Sequence, residues 1–167
     1  MSTSTVKHEI FNYTNPPFTF NELRSDMTGP YIYDPHWHED LEIVYNLKGN
    51  NRHIINGKSY DAAPGRLITI NSEFVHNVFT DPSLREQKEL AGFLVIISRE
   101  FLDDNFPQYQ ELYFTNTKEQ ASEETVHCIR KIMSFYARTE QAATTDLRKY
   151  SLHRQCLLSN LHLAGMD

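Results

Sequence analysis

Residues 34–49, DPHWHEDLEIVYNLKG, carry two histidines two apart, a glutamate four residues further on and a closing glycine. On an extended strand, alternate side chains share a face. His36, His38 and Glu42 all have even numbers, so one strand would point all three the same way. Two imidazoles and a carboxylate suit Zn, Fe, Mn, Ni or Cu. His76 follows Asn71-Ser72-Glu73-Phe74-Val75 on a plausible neighbouring strand and is the candidate fourth ligand. The same set also suits an organic ligand. Neutral imidazoles donate and accept hydrogen bonds, and a glutamate accepts two hydroxyls. Together they would hold a sugar or polyol. The plainer alternative is a solvated or packed strand face, although such a face rarely needs two histidines in place of Lys, Glu or Thr. Tyr31, Tyr33 and Trp37 offer flat faces on which a sugar ring would stack, or ordinary packing. Trp37 has the opposite parity and would point away from the histidines. Arg52 and Arg66 would reach an acidic ligand only if they were not solvated.

The elements that must position these groups are mostly strands. Residues 1–18 form a polar arm ending in Asn15-Pro16-Pro17, and 19–98 are strand-like. Tyr31-Ile32-Tyr33, Leu41–Tyr45, Leu67–Ile70, Val75–Phe79 and Gly92–Ile97 are apolar or alternating runs. Asn56-Gly57 between His53-Ile54-Ile55 and Ser59-Tyr60 predicts a type I′ hairpin. Many short strands broken by Gly, Pro and Asn predict a β sandwich or barrel. Residues 101–114 are mixed and hold Pro107. From Lys118 to Arg138 the period turns helical through Val126, Ile129, Met133 and Tyr136, with Ser122 as a start signal. After a polar link over 139–145, Leu147, Tyr150, Leu157, Leu158 and Leu161 predict a second helix. The two would form an antiparallel hairpin over 99–167, serving as a lid or as a dimer interface.

Composition narrows the function. The chain has 167 residues and a formal net charge of −6. An acidic chain is a poor match for nucleic-acid phosphates. No apolar run approaches the roughly 20 residues of a membrane span, and the first residues lack a secretory signal. Cys128 and Cys156 are far apart, which fits a reducing cytoplasm and buried thiols.

The pattern H-x-H-x-x-x-E-x6-G, met by His36, His38, Glu42 and Gly49, resembles the first motif of the cupin barrels. The second cupin motif, G-x5-P-x-G-x2-H-x3-N, is met at Gly65 and His76. It departs at Asn71, Glu73 and Thr80, which stand at its proline, second glycine and asparagine. Pro30, beside Gly29, replaces the leading glycine of the first motif. The wider layout adds EIVYNLKG, IINGKSY and AAPGRLITIN, then two helices. It resembles the N-terminal sensing and dimerisation half of AraC-type transcription regulators.

That resemblance implies a mainly β, jelly-roll-like cupin barrel followed by an antiparallel two-helix hairpin. It also implies a sugar-like effector, a homodimer through the C-terminal helices and no catalysis. DNA would be bound only through a separate helix-turn-helix domain, which nothing in 1–167 resembles. His36, His38, Glu42, His76, Tyr31, Tyr33 and Asn71 would bind the effector. Asn71 would sit at the pocket rim, and Phe11, Tyr13 and Phe18 of the arm would fold over the opening. The first four would also hold a divalent transition metal, if one is used. The competing class is a free-standing metal-dependent cupin enzyme, a dioxygenase or a sugar isomerase.

Overall fold

The computed structural model describes residues 6–13, 17–24, 33–84, 89–106, 108–116 and 120–141. Strands follow in chain order as β1 (Lys7–His8), β2 (Phe18–Arg24), β3 (His36–Trp37), β4 (Leu41–Asn46), β5 (Asn51–Ile55), β6 (Lys58–Ala62), β7 (Leu67–Ile70), β8 (His76–Phe79) and β9 (Leu90–Ile97). Two helices follow them, α1 (Arg99–Asn105) and α2 (Glu123–Gln141). One sheet has the order β1-β3-β8-β5-β6 and the other β2-β9-β4-β7. The pairs are antiparallel, except that β1 lies parallel to β3. The chain divides into two compact units, Met1–Glu111 with Thr115–Gln120, and Leu112–Phe114 with Ala121–Asp167.

All nine strands and α1 belong to the first unit. Alternation decides what β5 and β7 bury, whereas β4 and β9 are buried along most of their length. Val44, Ile55, Ala62, Ile68 and Ile70, drawn from both sheets, form one buried cluster, with Leu23, Tyr60, Phe74 and Leu94 against it. Each large aliphatic side chain there stabilises the fold by about 1.5–3 kcal/mol. The β5–β6 turn is the expected hairpin, since Asn56 and Gly57 have φ of 45° and 77°. Strand β9 is apolar along its length and is bonded to β2 on one side and β4 on the other. Only a residue without a side chain fits at position 92, where a Cβ would meet the Tyr45 carbonyl oxygen at 2.6 Å.

Asn46, at the end of β4, is buried and ties three segments together. Its Nδ2 donates to the Gly49 and Ala62 carbonyls at 2.7 and 2.6 Å, and its Oδ1 accepts from Asn51 at 2.8 Å. Helix α1 lies in the stretch whose pattern was mixed. Ser98 Oγ accepts from Phe101 N–H, and Leu102 is fully buried.

The second unit carries α2, which begins later than the sequence period suggested. Ser122 ends the extended chain: its Oγ accepts from Thr125 N–H at 3.1 Å and its carbonyl from Val126 N–H at 2.9 Å. Glu123 and Glu124 fill the first turn, where the helix dipole favours acids. The helix runs on through Gln141, so the polar link does not begin at Thr139. The predicted second helix and the hairpin it would close lie outside the described residues. No described helix is long and apolar enough to cross a membrane.

Candidate functional site

The histidine–glutamate run is not one strand. Strand β3 stops at Trp37, the chain bends at Glu39-Asp40, and β4 starts in the opposite sheet. Asp40 holds the bend, because its Oδ1 accepts the Arg99 N–H at the start of α1 at 3.0 Å. His36 and Glu42 therefore approach from opposite sheets, with His38 between them. His76 arrives because β8 pairs with β3 and sets it directly across from His36.

The four side chains converge. One ligating atom from each of His36, His38, Glu42 and His76 lies within 4.8 Å of the others. Glu42 Oε2 is 3.1 Å from His38 Nε2 and 3.4 Å from His76 Nε2. Glu42 is 8% exposed and His38 1%.

The backbone fixes how the rings present themselves. His36 Nδ1 faces the Asp34 carbonyl at 2.8 Å, His38 Nδ1 the Asp40 carbonyl at 3.0 Å, and His76 Nδ1 the Phe74 carbonyl at 2.9 Å. A carbonyl only accepts, so each Nδ1 carries the proton. Each Nε2 is left to meet a cation or a proton, and that of His38 meets Glu42 Oε2 at 3.1 Å. His76 Nε2 is buried with no hydrogen-bond partner. Anchoring one ring nitrogen to an acceptor is how proteins orient histidines toward a metal. Three such imidazoles and one carboxylate fit a divalent transition metal, which the four residues would hold.

The electrostatics couple the same residues. Burial works against the charge on Glu42, but His38 and His76 outweigh it and hold the carboxyl far below its usual range. Burial also opposes a charged His76, and Glu42 again outweighs it, raising the pKa. Burial lowers that of His36.

The sequence reading missed two residues. His53 on β5 is buried, shares its strand face with Ile55, and is pushed down to about 4 by burial. Glu42 and His76 are the charges that act on it. Its signal was the hairpin alternation, in which His53 takes an inward position. Glu9, on the arm just past β1, places Oε2 at 3.9 Å from His36 Nε2. No local pattern marked it.

The arm covers the cluster. His8 stacks on Trp37 at 3.9 Å between ring centroids, and the Phe11 ring meets His38 edge-on at 5.3 Å. Burial and the nearby Asp40 charge raise the Tyr13 phenol pKa. Phe18 does not join this cover; it is buried in β2. A cleft of about 660 Å³ lies between the arm and the start of α1, walled by Phe11, Tyr13, Glu39, Asp40, Arg99 and Phe101 among others. None of the four cluster residues lines it.

Tyr33, Asn71, Arg52 and Arg66 do not belong to the four-residue cluster. Tyr33 is 44% exposed, with its ring 6.4 Å from that of His36. Asn71 is half-buried, and its carbonyl closes the turn to Phe74. Arg52 pairs with Asp61 across the hairpin, and Arg66 bonds the Asp61 carbonyl. Tyr31 lies outside the described residues.

Two sheets closed around a histidine–carboxylate cluster define a mainly β, cupin-like protein. The family model of the AraC-like ligand binding domain matches residues 23–161, and the chain belongs to that family. No curated protein matches it. Among solved structures, the Cnp3 cupin domain of Schizosaccharomyces pombe is similar at 10% identity and a TM-score of 0.43, over 58% of this chain and 71% of that one. A cupin 2 conserved barrel domain protein of Salinispora arenicola is similar at 16% and 0.41, over 57% and 76%. A single-site mutant of the oxalate decarboxylase OxdC of Bacillus subtilis is similar at 24% and 0.38, over 50% of this chain. The match spans only 22% of the decarboxylase chain.

Proposed function

We propose that this chain is the effector-sensing domain of a transcription regulator, and that it binds a sugar or related polyhydroxyl metabolite instead of catalysing a reaction. The observation that carries the reading is the arm packed over a buried histidine–carboxylate cluster in a member of a ligand-binding family. Imidazole nitrogens and carboxylate oxygens match hydroxyl groups. The regulator would work in the cytoplasm as a homodimer paired through its C-terminal helices, and would reach DNA through a helix-turn-helix domain outside this sequence. Effector binding would act through unequal affinity for two states of the arm or dimer. Titration calorimetry against mono- and oligosaccharides and sugar acids, with and without Zn²⁺ or Mn²⁺, tests it. Binding that His38→Ala or Glu42→Gln abolishes is expected; no binding across a broad panel overturns it.

The three Nδ1-anchored imidazoles favour a second reading, a metal-dependent cupin enzyme. Metal analysis of protein purified without a nickel column separates the two. Absence of bound metal, with no activity on adding Fe, Mn or Zn, removes the enzyme.

A further inference from the structure

We propose that Glu9 is an arm-borne donor to the cation site, so that a divalent metal held by His36, His38, Glu42 and His76 fastens residues 6–13 to the barrel. The inference rests on the fit of those four residues to a metal, and adds to it a residue from a separate segment.

Register puts Glu9 there. Lys7 pairs with His36 and His8 with Trp37 in the parallel β1–β3 ladder, and Glu9 N–H continues it by donating to the Trp37 carbonyl at 2.9 Å. By alternation, His8 shares the Trp37 face and Glu9 the face of His36 and His38. The outcome is the 3.9 Å approach of Glu9 Oε2 to His36 Nε2. That nitrogen is the one left basic by the Asp34 carbonyl. A carboxylate and a lone pair repel unless a cation or proton lies between them.

Charge completes the argument. Three neutral imidazoles and Glu42 bring one negative charge to a doubly positive ion. Glu9 supplies the second, and a largely buried site is most stable when its charges cancel. The competing partner of Glu9 is weak. Lys7 Nζ holds Oε1 at 2.7 Å, but Lys7 is exposed, and such pairs contribute little.

The arm carries its own reporters. Trp37 is the only tryptophan in the chain and stacks on His8. Lys7 is a trypsin site inside the docked segment. The test uses the full chain, wild type and Glu9→Gln, with Zn²⁺ or Mn²⁺ and then with chelator. Metal affinity is read by calorimetry, and arm docking by Trp37 fluorescence and the rate of cleavage after Lys7. In the wild type, metal should slow cleavage and shift the fluorescence, and chelator should reverse both. In Glu9→Gln, affinity should fall roughly tenfold or more, and metal should no longer protect Lys7. Equal affinity and equal protection in the two proteins would overturn the arm donor and leave the four-residue site standing. No metal binding by the wild type would overturn both.

Discussion

His53 shows what one buried imidazole does to the pH dependence of stability. Burial pushes its pKa to about 4 from an ordinary 6.5. Between those values the unfolded chain binds a proton that the folded chain refuses. Stability therefore falls as pH drops from about 6.5 toward 4, by on the order of 3 kcal/mol for this residue, and levels off below. His76 has the opposite sign: its pKa is raised, so its contribution is present below the ordinary value and is lost as pH rises through the folded one. Urea unfolding at pH 7.5 and 4.5 should show a large acid loss in the wild type and a smaller one in His53→Leu. Equal losses would move the effect to other groups. At this scale the sequence singled out four side chains that converge, but not the route that brings them together. His36, His38, Glu42 and His76 were legible because residue type and spacing narrowed them. Their assembly across two sheets was not, because the bend after His38 depends on the bond from Asp40 to Arg99, 59 residues away. Glu73 is instructive too. It stands where the second cupin motif has glycine, and it keeps the left-handed backbone there at φ 67°. The turn survives the departure, with the Glu73 N–H donating to the His38 carbonyl at 2.7 Å.

Among the elements, β4 does the most to position the site, since it carries Glu42 near one end and Asn46 at the other. Asn46→Ala would leave the Gly49 and Ala62 carbonyls without their donor. Each unsatisfied buried group costs about 1–3 kcal/mol, so a loss of roughly 2–4 kcal/mol in urea unfolding is expected. A change within 0.5 kcal/mol would mean that solvent or a neighbour replaces the amide. The strands were legible from alternation and from Asn56-Gly57, whose turn chemistry is local. Helix α1 was not, because seven residues carry too few turns for a clear helical period. Strand β1 was hidden for a similar reason: its two residues are ordered by the ladder they join, and their own pattern says little.

For the whole molecule, the cluster acts as a tie between the two sheets, because His36 and His76 belong to one and Glu42 to the other. An occupant bound only in the folded state stabilises it by about 2.7 kcal/mol at a hundred times its Kd. Thermal unfolding with Zn²⁺ should therefore occur at a higher temperature than with chelator, and Glu42→Gln should abolish the difference. A shift of equal size in the variant would place the metal elsewhere. The mainly β, cupin-like part of the fold was readable from the paired motifs and the alternating strands. The arm's cover over the opening was expected through Phe11 and Tyr13, but its pairing with β3 was not readable, since a two-residue strand has no pattern of its own.

That docking also separates two clocks. Backbone bonds tie the arm to β3, among them Lys7 N–H to the Pro35 carbonyl at 3.2 Å and Glu9 N–H to that of Trp37 at 2.9 Å. Each such bond contributes only about 0.5–1.5 kcal/mol net. The amides of β9, bonded on both flanks, exchange deuterium only when the barrel opens as a whole. Those of Lys7 and Glu9 exchange whenever the arm lifts. Deuterium exchange should therefore be faster at Lys7 and Glu9 than along β9, and equal protection would mean that the arm lifts only when the barrel opens.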